Sequence, residues 1–146
     1  MLMFLGPDAL TPFRFQQRQR LLARHGLPTE GLRARLCYLV EADELDDEQR
    51  QRLARLLAAE PVDGARLAEV ARVLVVPRPG TRSPWSSKAT DIVWRCGLGA
   101  VARVERAVAY DWTGTAPVDP ARLAPLLADR MTEALLAPGE LPVLFQ

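Results

Sequence analysis

The sequence predicts an α+β fold in which a β-α-β-α unit occurs twice. Three observations carry the prediction. Short apolar or alternating runs at Leu2–Leu5, Leu32–Val40, Ala71–Val76 and Val101–Trp112 read as strands. Stretches with apolar residues at helical spacing lie between them, each opened by a residue able to cap a helix. Pro and Gly residues punctuate the boundaries. Elements in this order form a sandwich of one or two antiparallel or mixed sheets with helices packed on one face. The repeat is one of element types and lengths; no residue-level repeat is evident.

The elements follow in order. Leu2–Leu5 is a strand ended by Gly6-Pro7. Thr11 then caps a helix with Pro12 at its first position, running to His25 before Gly26 as C-cap; Phe13, Gln17, Leu21 and Leu22 mark one side. Leu32–Val40 alternates, and its second face is polar only at its start. Asp46-Asp47-Glu48 opens a second helix, with carboxylates at the positive end of its dipole, an apolar stripe of Leu53, Leu56 and Leu57, and Pro61 as its bound. The second half begins with Ala71–Val76 and continues through a loop and a helix to Gly97. Val101–Trp112 is a long strand, apolar on one face through Ala102, Val104, Val108 and Tyr110. Asp119-Pro120 starts a last helix along Leu123, Leu126, Leu127, Met131 and Leu135, ended by Pro138-Gly139. The halves are about 1–60 and 71–137 of a single 1–137 domain; 138–146 reads as the start of a linker or as a picornaviral-protease scar.

Composition bounds the function classes. The chain has 146 residues, 49% hydrophobic and 25% charged, with a formal net charge of +1. That is an ordinary globular balance, with no general pull toward nucleic acid or anionic membrane. Lys88 is the only lysine. Two unpaired cysteines, Cys37 and Cys96, argue against a disulfide framework or a zinc site and for a reducing, cytoplasmic setting. Met1–Leu5 is too short for a signal peptide, and no stretch approaches a membrane span.

Residues 77–97 are the most informative segment. Arg78, Arg82 and Lys88 stand among the hydroxyls of Thr81, Ser83, Ser86 and Ser87, and no acidic residue appears until Asp91. Three prolines stiffen the loop, and Pro79-Gly80 fits a type II turn. A helix follows, capped by Ser83 with Pro84 at its first position, or by Ser86 or Ser87 at a later start. Ala89, Ile92, Val93 and Cys96 form its apolar face. Cations, hydroxyls and a helix N-terminus together favour an anion such as phosphate, while capping alone explains the serines. The segment has neither a Walker-type loop nor the Gly-x-Gly-x-x-Gly fingerprint.

The same wording, strongest over Val76 to Glu105, resembles the N-terminal domain of the large single-chain phosphoribosylformylglycinamidine synthases, purine-biosynthesis amidotransferases. The resemblance implies a fused pair of copies of a small accessory subunit, each β-α-β-α. It implies an enzyme that converts formylglycinamide ribonucleotide, glutamine and ATP into formylglycinamidine ribonucleotide, glutamate, ADP and phosphate. It also implies partners: the synthetase and glutaminase domains of the same polypeptide, with ATP and magnesium bound there and no cofactor bound here. The 146-residue chain alone is then expected to be inactive, with no catalytic residue. Its 77–97 loop is expected to face the synthetase cleft, with Arg78, Thr81, Arg82, Ser83, Ser86, Ser87 and Lys88 as substrate-binding residues. A free-standing protein-interaction module and a stand-alone phosphometabolite binder are the alternatives.

The remaining candidates favour plain roles. Cys37 in a strand, Cys96 late in a helix and His25 at a helix end do not form a nucleophile and base couple. Arg103 and Glu105 share a strand face and read as a solvated or cross-strand ion pair, with Arg106 following; an inter-domain contact is the alternative. Trp85, Trp94 and Trp112 lie on different elements and read as packing residues. Asp43, Asp46, Asp47 and Glu48 start a helix.

Overall fold

Apolar residues of four long strands meet in one antiparallel sheet in the computed structural model, which describes residues 1–145. The chain order is β1 (Leu2–Asp8), α1 (Pro12–Arg24), β2 (Arg33–Ala42), α2 (Asp47–Leu57), β3 (Glu60–Val62), α3 (Gly64–Val70), β4 (Val73–Pro77), α4 (Pro84–Arg95), β5 (Val101–Asp111), α5 (Pro120–Leu127), β6 (Glu133–Leu136) and a 3-10 helix (Pro138–Phe145). The strand order is β3-β1-β2-β5-β4-β6, with every pairing antiparallel. The expected doubling is present. Each half is β-α-β-α closed by a short third strand outside its first, and the halves join through the long β2–β5 ladder, from Arg33↔Asp111 to Glu41↔Arg103.

The structure also reveals a residue-level echo that the sequence hides. Thr11-Pro12 and Ser83-Pro84 start α1 and α4 alike, each hydroxyl accepting from the backbone N–H three residues on. Asp46 and Asp119 cap α2 and α5. α1 and α4 also end alike. Leu27 N–H donates to Leu22 O and Gly26 N–H to Ala23 O; Leu98 N–H donates to Val93 O and Gly97 N–H to Trp94 O. Both glycines sit at φ +70° and +88°, the left-handed conformation this helix end requires. Local termination signals are thus repeated where the connecting sequence is not.

Alternation along the strands divides the core. On one face Ala34, Tyr38 and Val40 of β2, with Val104 and Tyr110 of β5, meet Leu22 of α1, Leu53 of α2, Val93 of α4 and Leu123 and Leu127 of α5. This is the predicted helical layer. The other face carries Cys37, Leu39, Leu74, Val76, Ala107 and Ala109, and it is covered by Leu67 of α3 and by Leu141 and Leu144 of the 3-10 helix. Burying one such leucine contributes roughly 2–3 kcal/mol, so this thin second layer is needed to keep the sheet dry.

Several expectations change. The first strand passes through Gly6-Pro7 to Asp8 with a register shift after Leu5; a bulge accommodates Pro there, and a Cβ at Gly6 would come within 3.3 Å of Leu36 and Tyr38. Phe13 is 68% exposed, and Phe15 and Leu22 face inward instead. Pro61 does not merely bound α2. It lies in the edge strand β3, where proline is tolerated, and α2 already stops at Ala58 in a left-handed turn. Ala102 is exposed. The last helix ends at Leu127. Ala128 turns extended, Met131 is 76% exposed, and Leu135 belongs to β6, which supplies the partner that the open edge of β4 needs. Residues 138–145, expected to begin a linker or scar, pack into the core; Gln146 lies outside the described residues.

Candidate functional site

β4 delivers the chain into the 77–97 segment. Arg78 N–H donates to Thr132 O and extends the β4–β6 ladder by one bond. The Pro79-Gly80 turn then closes as expected: Thr81 N–H donates to Arg78 O at 3.1 Å, and Gly80 takes φ +86°. Of the helix starts left open by the sequence, Ser83 is the one used, its Oγ accepting from Ser86 N–H at 3.0 Å.

Glu105 explains the choice. Its carboxylate is fully buried and accepts from Ser83 Oγ at 2.9 Å and from Ser83 N–H at 3.4 Å. The Arg103 guanidinium donates to the same carboxylate through Nε at 3.0 Å and through a terminal nitrogen, and that nitrogen also donates to Thr81 O at 2.6 Å. The Arg103–Glu105 pair is therefore neither solvated nor cross-strand. It is a clamp that locks the loop to the middle of β5. A buried carboxylate with cationic and neutral donors is satisfied; an unpaired one is very costly.

α4 then fills a gap in the sheet. β4 pairs with β5 only from Val108 to Tyr110, so one edge of β5 has no strand beside it from Val101 to Val104. Side chains one and two turns apart on α4 take the strand's place. Ser86 Oγ donates to Val104 O at 2.6 Å, Thr90 Oγ1 accepts from Val104 N–H at 3.1 Å, and Trp94 Nε1 donates to Val101 O. Arg82 adds bonds to Thr90 Oγ1 and Ala102 O, each at 3.3 Å.

The seven loop residues singled out by sequence thus divide. Ser86 is buried and, with Ser83 and Arg82, is engaged in holding α4 and the loop to β5. Thr81 turns its hydroxyl onto Arg78 O. Arg78, Ser87 and Lys88 are exposed, and their side chains make no hydrogen bond or ion pair among the described residues.

A cleft of about 710 Å³ opens beside the loop, on the helical face where the two halves meet. Its cations are Arg14, Arg18 and Arg106, none of which sequence reasoning assigned to an anion site. Arg18 donates to Leu126 O at 2.7 Å, and Arg106 lies 4.6 Å over the Trp85 ring, whose centroid is 5.9 Å from that of Tyr38. The three arginines come from α1 and β5, so no contiguous motif announces them. Burial is the main reason the pKa of Tyr110, in the cleft wall, is raised; Arg18 opposes the shift.

Cys37 is buried in β2 as expected, but Cys96 and Ile92, expected on the apolar face of α4, are both exposed. Burial pushes the Cys37 thiol up to about 12, with Arg35 opposing, while Cys96 is exposed at the end of α4. A thiol reagent at neutral pH should label Cys96 alone in the folded protein and both cysteines after denaturation, as counted by intact mass. Asp46 caps α2 in a capping box with Gln49. Among the described residues no helix is long and apolar enough to cross a membrane.

Residues 35–142 match the family model described as formylglycinamide ribonucleotide amidotransferase N-terminal. The match starts inside β2, takes in the Glu105 clamp and the loop it fixes, and ends in the 3-10 helix, covering about three quarters of the chain. The chain belongs to the N-terminal-domain family of the formylglycinamide ribonucleotide amidotransferases, and its role is in that enzyme of purine biosynthesis.

Proposed function

We propose that the domain docks the synthetase and glutaminase domains of the same polypeptide and helps close the site that binds formylglycinamide ribonucleotide. The full enzyme would carry out the glutamine- and ATP-dependent conversion to formylglycinamidine ribonucleotide in the cytoplasm, with ATP and magnesium held by the synthetase domain. The observation that carries the reading is the pairing of rigidity with free charge. The loop from Pro77 to Pro84 is stiffened by Pro77, Pro79 and Pro84, a closed turn and the Arg103–Glu105 clamp, yet Arg78 on it, and Ser87 and Lys88 early in α4, are exposed without side-chain partners among the described residues. A preorganised cationic edge meets an anion at little entropic cost, and the ribonucleotide's phosphate is such an anion.

The test is steady-state kinetics of Arg78→Ala and Lys88→Ala in the full-length enzyme. Losing one exposed charge-assisted contact removes about 1.5–3 kcal/mol of binding. Each variant should therefore raise KM for the ribonucleotide about tenfold or more and leave KM for glutamine unchanged. Wild-type kinetics in both variants would remove the loop from the substrate site.

A further inference from the structure

The loop's outward charges do not line the cleft between α1 and α4; that cavity has its own set. Arg14, Arg18 and Arg106 line it with one carboxylate, Glu133, which already accepts from Asp129 N–H at 2.9 Å. None of the three guanidiniums has an ion-pair partner among the described residues, although the domain's net charge is only +1 and acidic residues abound elsewhere. Two of the three are held in place by the fold: Arg18 by a carbonyl of α5, Arg106 by the Trp85 ring. Their floor is apolar, made of Leu36, Val75 and Val108. α1 and α4 both begin at the rim, and their first turns are capped by Thr11 and Ser83, so they add positive field rather than free donors.

We infer that this cleft binds a small phosphate monoester, its phosphate held by Arg14, Arg18 and Arg106 and its body resting on the apolar floor. The size agrees, since pockets for small molecules run from about 300 to 1,000 Å³. The charge agrees as well. Three guanidiniums and one carboxylate leave an excess that matches the nearly two negative charges of a phosphate monoester at neutral pH. Guanidinium forks suit phosphate geometry better than any other side chain.

Titration calorimetry on the 146-residue chain tests the inference, with phenyl phosphate as probe, phenol as its uncharged counterpart, and inorganic phosphate to isolate the floor's contribution. Phenyl phosphate should bind one-to-one and more tightly than inorganic phosphate, and phenol should give no saturable signal. Arg106→Gln and Arg14→Gln should each weaken phenyl phosphate about tenfold, while Arg50→Ala, on the exposed surface of α2 and outside the cleft, leaves it unchanged. Arg14 lies on an exposed helix surface, so its variant keeps the fold, and circular dichroism verifies both. Tryptophan emission supplies a second readout, because a phosphate drawing on Arg106 alters the cation stacked on Trp85. The inference is overturned if phenyl phosphate gives no saturable signal to millimolar concentration, or if both arginine variants bind as wild type. It also fails if Arg50→Ala is the variant that loses binding, or if only an acidic peptide, and no phosphate ester, binds in an Arg106-dependent way.

Discussion

Glu105→Ala should lower the unfolding free energy of the domain by about 3 kcal/mol, near the lower end of what removing one partner from a buried ion pair costs. The lower end applies because Arg103 keeps 16% of its side-chain surface in water and can partly rehydrate. Three things are lost together: the anchor of the Ser83 hydroxyl, the acceptor for Arg103, and, through Arg103, the hold on Thr81 O. For a chain of this length the change corresponds to a fall of about 6–12 °C in melting temperature. Urea denaturation measures it directly. The loop should also become a site of limited proteolysis, since cleavage needs local opening that the clamp resists. Glu105→Gln separates charge from shape: it retains a Ser83 contact and should recover part of the loss. A change below about 1 kcal/mol for Glu105→Ala would mean that the loop is held by its prolines alone.

Thr90→Val combined with Ser86→Ala should cost about 3 kcal/mol, by leaving both backbone groups of Val104 without partners in a dry interface. Valine matches threonine in shape, so packing is preserved and the hydroxyl is what the measurement reports. Thr90→Val alone should cost about 1–2 kcal/mol. Amide hydrogen exchange localises the effect, because the Val104 N–H should lose protection in Thr90→Val while Ala107, paired with β2 through Cys37, keeps its own. Unchanged protection at Val104 would show that α4 merely leans on β5 and does not complete its hydrogen bonding.

Much of this was legible in the chain. Alternation revealed β2 and β5, and Thr11, Asp46 and Asp119 marked three of the helix starts, while Ser83 was one of three serines that could have opened α4. β3 and α3 were missed because three and seven residues are too few to establish a period. β6 was absorbed into the last helix because Leu123, Leu126, Leu127, Met131 and Leu135 happen to keep helical spacing across a turn; only the demand of β4 for a partner breaks the run. Arg103 and Glu105 looked like ordinary surface charges at alternate positions, since burial of a carboxylate depends on a loop folding over it from more than twenty residues away. The serines of α4 were visible, but the open edge they serve exists only once β4 is seen to stop short. The cleft arginines carry no local signal at all, because α1 and β5 meet only in the folded chain.

The sheet also constrains how any neighbour can attach. Its two margins are the three-residue β3, which contains Pro61, and the four-residue β6. Such stubs offer few free backbone groups and a poor template for an added strand. A second polypeptide therefore gains little by lengthening the sheet at either rim. Side-chain surfaces remain as the means of recognition, and these can evolve toward one partner without inviting the indiscriminate stacking that a long bare edge would permit.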